Sequence, residues 1–201
     1  FDAIVVPSLG ARVILEGNRE GTVPPEYLGG IGEEGAEALR SFAREGGTLL
    51  FHESSVGLAI QAFQLPLEMV TDQAREAGFY SPGSILSFSW DPDSPLTRGM
   101  DPEGIAFVSS RASLLEVTGE GNGVVGTPRV LGSFPDRNEL LLSGYLEGAQ
   151  AIAGAAPVME VPYGKGRLVL VGFSLHNRAQ SLANFKLLFN AIAEARVGPT
   201  G

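Results

Sequence analysis

Cysteine is absent from this 201-residue chain, which excludes disulfides and thiol chemistry. Histidine is nearly absent: His52 and His176 are the only two. Zinc peptidase sites draw several His and carboxylate ligands from short patterns such as His-x-x-Glu. Here Ser55 and Ala179 stand three residues after the two histidines, so no metal site is expected within the chain. Basic residues are few and scattered, 14 Lys and Arg against 23 Asp and Glu, for a net charge of −9. That argues against nucleic acid as a partner, since phosphate neutralisation needs clustered cations. No apolar run reaches the roughly 18 residues of a membrane span, so no membrane partner is expected. There is no Asn-x-Ser/Thr sequon, no internal repeat and no low-complexity segment.

What remains is a globular composition. Apolar residues make up 44% of the chain, enough for the core of one domain over 1–201. Residues 3–7 read as a short buried strand, followed by a long Gly/Pro-rich loop over 8–32. A helix is predicted over 33–45, with Ala36, Leu39, Phe42 and Ala43 on one face and Gly46 as its stop. Residues 48–52 form the next strand. A short helix follows through Val56, Ile60 and Phe63, with Ser54 or Ser55 as its N-cap.

Strand, helix, strand, helix predicts a mainly parallel sheet with helices on both faces. From about 66 to 150 the texture changes to short strand-like pieces punctuated by Gly, Pro and Asp, read as a β-rich insertion. A closing hairpin around Tyr163-Gly164-Lys165-Gly166 adds an antiparallel edge. The last helix, over 181–195, is predicted to turn Leu182, Phe185, Leu188, Phe189 and Ile192 inward. Residues 196–201 read as a frayed tail. The chain opens on Phe1 directly before a strand, so a processed or excised fragment is expected, with more of the fold upstream.

The junction 46–57 carries the most chemical promise. Gly46-Gly47 precedes the apolar strand Thr48-Leu49-Leu50-Phe51, which ends in His52-Glu53-Ser54-Ser55 and turns into a helix. Open α/β sheets place ligands and nucleophiles at such strand ends. Ser54 or Ser55 as nucleophile, with His52 or His176 as base, is one reading; a helix cap beside a polar strand end is the other. In the first loop, Arg12, Glu16, Arg19, Glu20, Glu26 and Tyr27 lie at the carboxyl end of the first strand. They are either ligand contacts, with Glu53, or solvated charge. Gly121-Asn122-Gly123-Val124-Val125-Gly126 matches Gly-x-Gly-x-x-Gly, yet its strand-like flanks predict a turn rather than a dinucleotide site. Gly164-Lys165-Gly166-Arg167 likewise reads as a tight turn.

Several stretches then look familiar in order: 1–7, Gly21-Thr22-Val23-Pro24-Pro25-Glu26-Tyr27 through Gly35, Gly46-Gly47-Thr48-Leu49, and Gly164-Lys165-Gly166-Arg167. Gly172-Phe173, Arg178-Ala179-Gln180 and Phe185-Lys186-Leu187-Leu188-Phe189-Asn190 follow. Together they resemble the C-terminal class I glutamine-amidotransferase-like domain of bacterial M14-type zinc carboxypeptidase homologues, over nearly the whole chain. The resemblance implies a flavodoxin-like α/β layout whose first strand and helix lie upstream of Phe1. It also implies a separate upstream peptidase domain holding the zinc, with none in this chain, and an extracellular or periplasmic location.

The family's catalytic Cys would fall near Ser54 or Ser55 and its His-x-Glu near His176. Here Cys is missing, and Asn177 and Arg178 follow His176, so glutaminase activity is not expected. The leading expectation is a non-catalytic accessory or interaction domain, with the upstream peptidase domain as partner and a homo-oligomer as a further possibility. The alternatives are a Ser54 or Ser55 hydrolase, and a sugar- or peptide-binding module using Tyr27, Trp90 and Phe107.

Overall fold

A computed structural model describes residues 1–109, 112–122, 124–135, 140–179 and 181–195. Gly123, Gln180 and the tail over 196–201 lie outside the described residues.

Apolar Ala3–Val6 forms β1. The segment read as a plain loop contains a helix, α1 (Ala11–Glu16), between Gly10 and Gly17, then a 3₁₀ turn at Pro25–Tyr27. Six residues are too few for periodicity to separate helix from loop. Helix α2 (Gly32–Arg44) buries Ala36 and Ala43, as its apolar spacing requires. Strand β2 (Thr48–His52) is buried at every position and leads through a 3₁₀ turn into α3 (Val56–Phe63). Then come β3 (Leu67–Met69), α4 (Thr71–Glu76), β4 (Ser84–Trp90), β5 (Glu103–Val108), β6 (Leu115–Val117), β7 (Arg129–Ser133) and β8 (Leu141–Ser143). The hairpin β9 (Val158–Tyr163) and β10 (Gly166–Val171) precedes α5 (Leu182–Glu194).

The result is a mixed α/β fold around one eight-stranded sheet in the order β1-β2-β10-β9-β7-β4-β5, with β8 also on β4. Parallel pairing is confined to β1–β2 and β2–β10; the pairs beyond them are antiparallel. The expectation of a mainly parallel sheet therefore gives way to a mixed one. The β9–β10 hairpin is not at the edge either. All six residues of β10 are buried, and a strand of that kind needs neighbours on both sides and cover on both faces. It slots between β2 and β9. The segment over 66–150 extends the same sheet through β4, β5, β7 and β8, while β3 and β6 form a separate two-stranded pair.

Alternation along the strands creates two cores. Leu49, Phe51, Leu168, Leu170, Met159 and Val161 face Ala43, Val56, Ala59 and Phe63 of α2 and α3. On the other face Leu50, Val158, Val169 and Val171 meet Leu187 and Ala191 of α5 and the aromatic group Phe88, Trp90, Phe134 and Phe173. Helix α5 thus sits with Asn184, Leu187 and Ala191 inward. Leu182, Phe189 and Ile192, predicted inward, are 67%, 62% and 45% exposed, and Phe185 and Leu188 are half-buried. Both sides of this helix are apolar, so its periodicity names a stripe without naming the side that the sheet covers.

A ladder of alternating charge crosses the α5 face. Arg129 Nε donates to Asp91 Oδ2 at 2.7 Å, Arg167 Nη1 donates to Glu160 Oε1 at 3.0 Å, and Arg167 Nη2 reaches the Glu194 carbonyl at 3.5 Å. Arg129 is registered opposite Glu160. Glu160 and Arg167 are diagonal neighbours on β9 and β10, within reach on one face. Burial pushes the Asp91 carboxyl up, yet the Arg129 hydrogen bond, the Asp93 amide and the Arg129 charge together take it below the ordinary carboxylate value.

Candidate functional site

The carboxyl ends of β1, β2 and β10 point the same way, and four segments converge beyond them. Ser8 follows β1, His52-Glu53 ends β2, Ser113 crosses from the stretch before β6, and His176 lies in the turn after β10. Gly172 permits the crossing. A Cβ there would lie 1.8 Å from the Ser113 carbonyl oxygen, whereas glycine lets Ser113 N–H donate to the Gly172 carbonyl at 2.6 Å.

The elbow itself is strained. Glu53 has φ of 52°, a left-handed conformation that costs a non-glycine residue roughly 1–2 kcal/mol. Its surroundings hold it there. Ser8 Oγ donates to Glu53 Oε2 at 2.6 Å, and Ser113 Oγ donates to the Glu53 carbonyl at 3.1 Å. The residue at the sharp turn is thus Glu53, one place before the serines that the sequence singled out. A positive φ at glutamate leaves no sequence signal.

Ser55 is fully buried and committed to the backbone. Its Oγ accepts from the His52 N–H at 3.0 Å and lies 3.0 Å from the His52 carbonyl and 3.4 Å from the Val6 carbonyl, either of which can take its proton. It occupies the N-cap position of α3 without capping forward. Ser54 is half-buried, and its N–H points to Ser8 Oγ at 3.4 Å. Among the described residues no serine hydroxyl bonds to an imidazole, so a Ser–His pair is not assembled. Ser55→Ala leaves the buried His52 N–H unpartnered, and a loss of about 1–3 kcal/mol in urea denaturation is expected. A nucleophile would instead leave stability unchanged.

The two histidines do meet. Their ring centroids are 5.0 Å apart and the rings edge-on at 78°, because β10 lies beside β2 and carries the His176 turn to the end of β2. His52 is buried, its Nδ1 without a hydrogen-bond partner; His176 is exposed. Burial, and then the His176 charge, hold His52 below its ordinary value of 6.5 despite Glu53 nearby. The folded state therefore favours neutral His52, while the unfolded chain takes up its proton near pH 6.5. This contribution is complete above that pH and lost as pH falls towards the lower folded value. Stability measured by denaturation from pH 7.5 to 5 should decline, and His52→Phe should flatten that part of the profile.

The other candidates stay apart from the elbow. Arg12 pairs with Glu16 at 3.6 Å on the surface of α1, while Glu26 and Tyr27 are exposed on the 3₁₀ turn. Among the described residues none of them has a hydrogen bond or ion pair to Glu53. Trp90 is buried against Phe88, centroids 4.5 Å apart, so its ring is not open to a ligand; Phe107 is half-buried on β5. Asn122 Oδ1 accepts from the Val124 and Val125 amides, and Val125 bridges to Tyr163, so among the described residues no helix follows this motif. Gly164, with φ of 59°, makes the β9–β10 turn. Among the described residues no group of three or more His, Asp or Glu side chains could hold a metal ion, and no helix is long and apolar enough to cross a membrane. Chemically, the elbow offers one braced carboxylate and two touching imidazoles.

Comparison with known proteins places only the fold. No family model and no curated protein matches. Among solved structures, a cytoplasmic protein from Salmonella typhimurium superposes with a TM-score of 0.52 at 15% identity, over 96% of this chain and 71% of that one. A second, from Salmonella typhimurium LT2, gives 0.51 at 14% identity, over 98% and 70%. The β-galactosidase of Bacillus circulans sp. alkalophilus is also similar, with a TM-score of 0.48 at 13% identity over 79% of this chain. This chain spans 20% of that enzyme's length.

Proposed function

We propose that this chain is a non-catalytic accessory domain of glutamine-amidotransferase-like, flavodoxin-like architecture. It works by contact with other protein surfaces rather than by turnover. One observation carries the reading: the elbow presents Glu53, its carboxylate bonded to Ser8, where a working enzyme of this architecture needs a free nucleophile. The Ser55 hydroxyl is sealed into the backbone, and the Ser8 and Ser113 hydroxyls are spent on Glu53 itself. The parallel run β1–β2–β10 with helices on both faces is compatible with this architecture. Its association with an upstream zinc carboxypeptidase-like domain rests on the sequence resemblance alone.

The test is direct. The purified chain is incubated with glutamine, with small esters and with short peptides, beside His176→Ala and Ser54→Ala variants. No turnover above the uncatalysed rate is expected. Turnover that either variant abolishes would overturn the proposal. The peptidase association is tested separately, by titrating an M14-type carboxypeptidase domain with the chain in a calorimeter; absence of heat at micromolar concentration removes that part.

A further inference from the structure

The end of the sheet opposite the elbow holds a polar cavity. Arg44 closes α2 just before β2 begins, Gln64 ends α3, and Tyr163 ends β9, which runs antiparallel to β10. With Arg40 and Phe63 these residues line about 500 Å³, the volume of a small-ligand pocket.

Its donors outnumber the acceptors left to meet them. Arg40 is spent: Nε donates to Glu37 at 2.7 Å, Nη1 to the Ala62 carbonyl at 3.0 Å, and Nη2 to Glu33. It thereby occupies both nearby carboxylates. Arg44 has only Glu37 at 3.6 Å, an ion pair beyond hydrogen-bond length. Tyr163 is 5% exposed, yet among the described residues its hydroxyl has no hydrogen-bond partner. A buried tyrosine hydroxyl ordinarily finds one. Gln64 has φ of 51° and ψ of 48°, a left-handed helix end that glycine fills without strain. Strained backbone of this kind clusters at ligand sites, and here it sets an exposed amide at the cavity.

We infer that this cavity binds a small organic carboxylate. The planar Arg44 guanidinium matches the two carboxylate oxygens, and the Tyr163 hydroxyl and Gln64 amide supply further donors. Glu33 and Glu37 offset the two arginines, so no surplus positive charge remains for a dianion such as phosphate. Ala62 and Val124 add an apolar wall for the body of the ligand. The site lies at the amino ends of β2 and β10, so it is separate from Glu53 and the two histidines.

The experiment is an amide NMR titration of the full chain with benzoate, benzamide and inorganic phosphate at constant ionic strength. Benzoate is expected to saturate with a millimolar dissociation constant, as suits so small a probe, and the other two to bind at least about tenfold more weakly. Arg44→Gln should weaken benzoate about tenfold by removing the charged fork. Tyr163→Phe should weaken it at an unchanged melting midpoint, since the hydroxyl has no protein partner to lose. Gln64→Gly should weaken it while raising the midpoint, because the strain is relieved. Capping alone would raise the midpoint and leave affinity as it was. No saturation by about 50 mM benzoate, equal binding of benzamide, tighter binding of phosphate, or unchanged affinity in Arg44→Gln would each overturn the inference. The titration reads no turnover, so its failure leaves the accessory-domain reading to its own test.

Discussion

Replacing Arg167 by alanine is expected to lower the unfolding free energy by about 3–5 kcal/mol, the usual result of stripping one partner from a buried ion pair. Arg167 is 2% exposed and Glu160 8%. Without the guanidinium, the Glu160 carboxylate remains inside the sheet with only Arg129 beside it, and Arg129 is already bonded to Asp91. The Glu194 carbonyl near the end of α5 also loses its donor. For a chain of this size the midpoint should fall by roughly 10 °C. The double replacement Arg167→Met with Glu160→Leu should recover most of the loss, since no charge is then left unpaired. Guanidinium denaturation of parent, single and double variants checks both statements. A single variant within about 1 kcal/mol of the parent would show that the ladder contributes little.

The same ladder shows what was legible beforehand. Strand β2, helix α2 and the hairpin over 158–171 were readable because glycines mark their ends and their apolar spacing is regular. Nothing local indicates that β10 lies beside β2. That placement follows from burial on all sides, a property of the finished sheet, and it alone brings Arg167 under α5 and His176 against His52. The elbow was legible as a place and not as a conformation. His52-Glu53-Ser54-Ser55 does lie at the junction of β2 and α3, yet the strain falls on Glu53, and the Ser8 and Ser113 hydroxyls that brace it come from 45 and 60 residues away. Helix α5 shows the complementary limit. Its stripe was found, but which side meets the sheet was decided by Leu187 and Ala191 packing under the strands, with Phe189 left outside.

Phe88→Ala should rival the loss at Arg167, at about 3–5 kcal/mol. The cost of such a cavity depends on how far the walls can collapse, and here they cannot. Phe88 packs edge-on to Trp90 and Phe134, with centroids at 4.5 and 6.1 Å, and at a tilt to Phe173 at 5.9 Å. Gly104 on β5 and Gly132 on β7 flank the ring from either side. A Cβ at Gly104 would lie 2.5 Å from Phe88, and one at Gly132 would lie 2.6 Å from it. Two glycines therefore make room for one ring, and backbone held in a sheet ladder cannot move inward to fill the space once the ring is gone. Phe88→Leu keeps most of the volume and should cost less than half as much. Trp90 is the chain's only tryptophan, so its emission reports the change directly. An alanine variant losing under about 1.5 kcal/mol would mean that β5 and β7 close on the cavity, against the rigidity that their pairing to β4 implies.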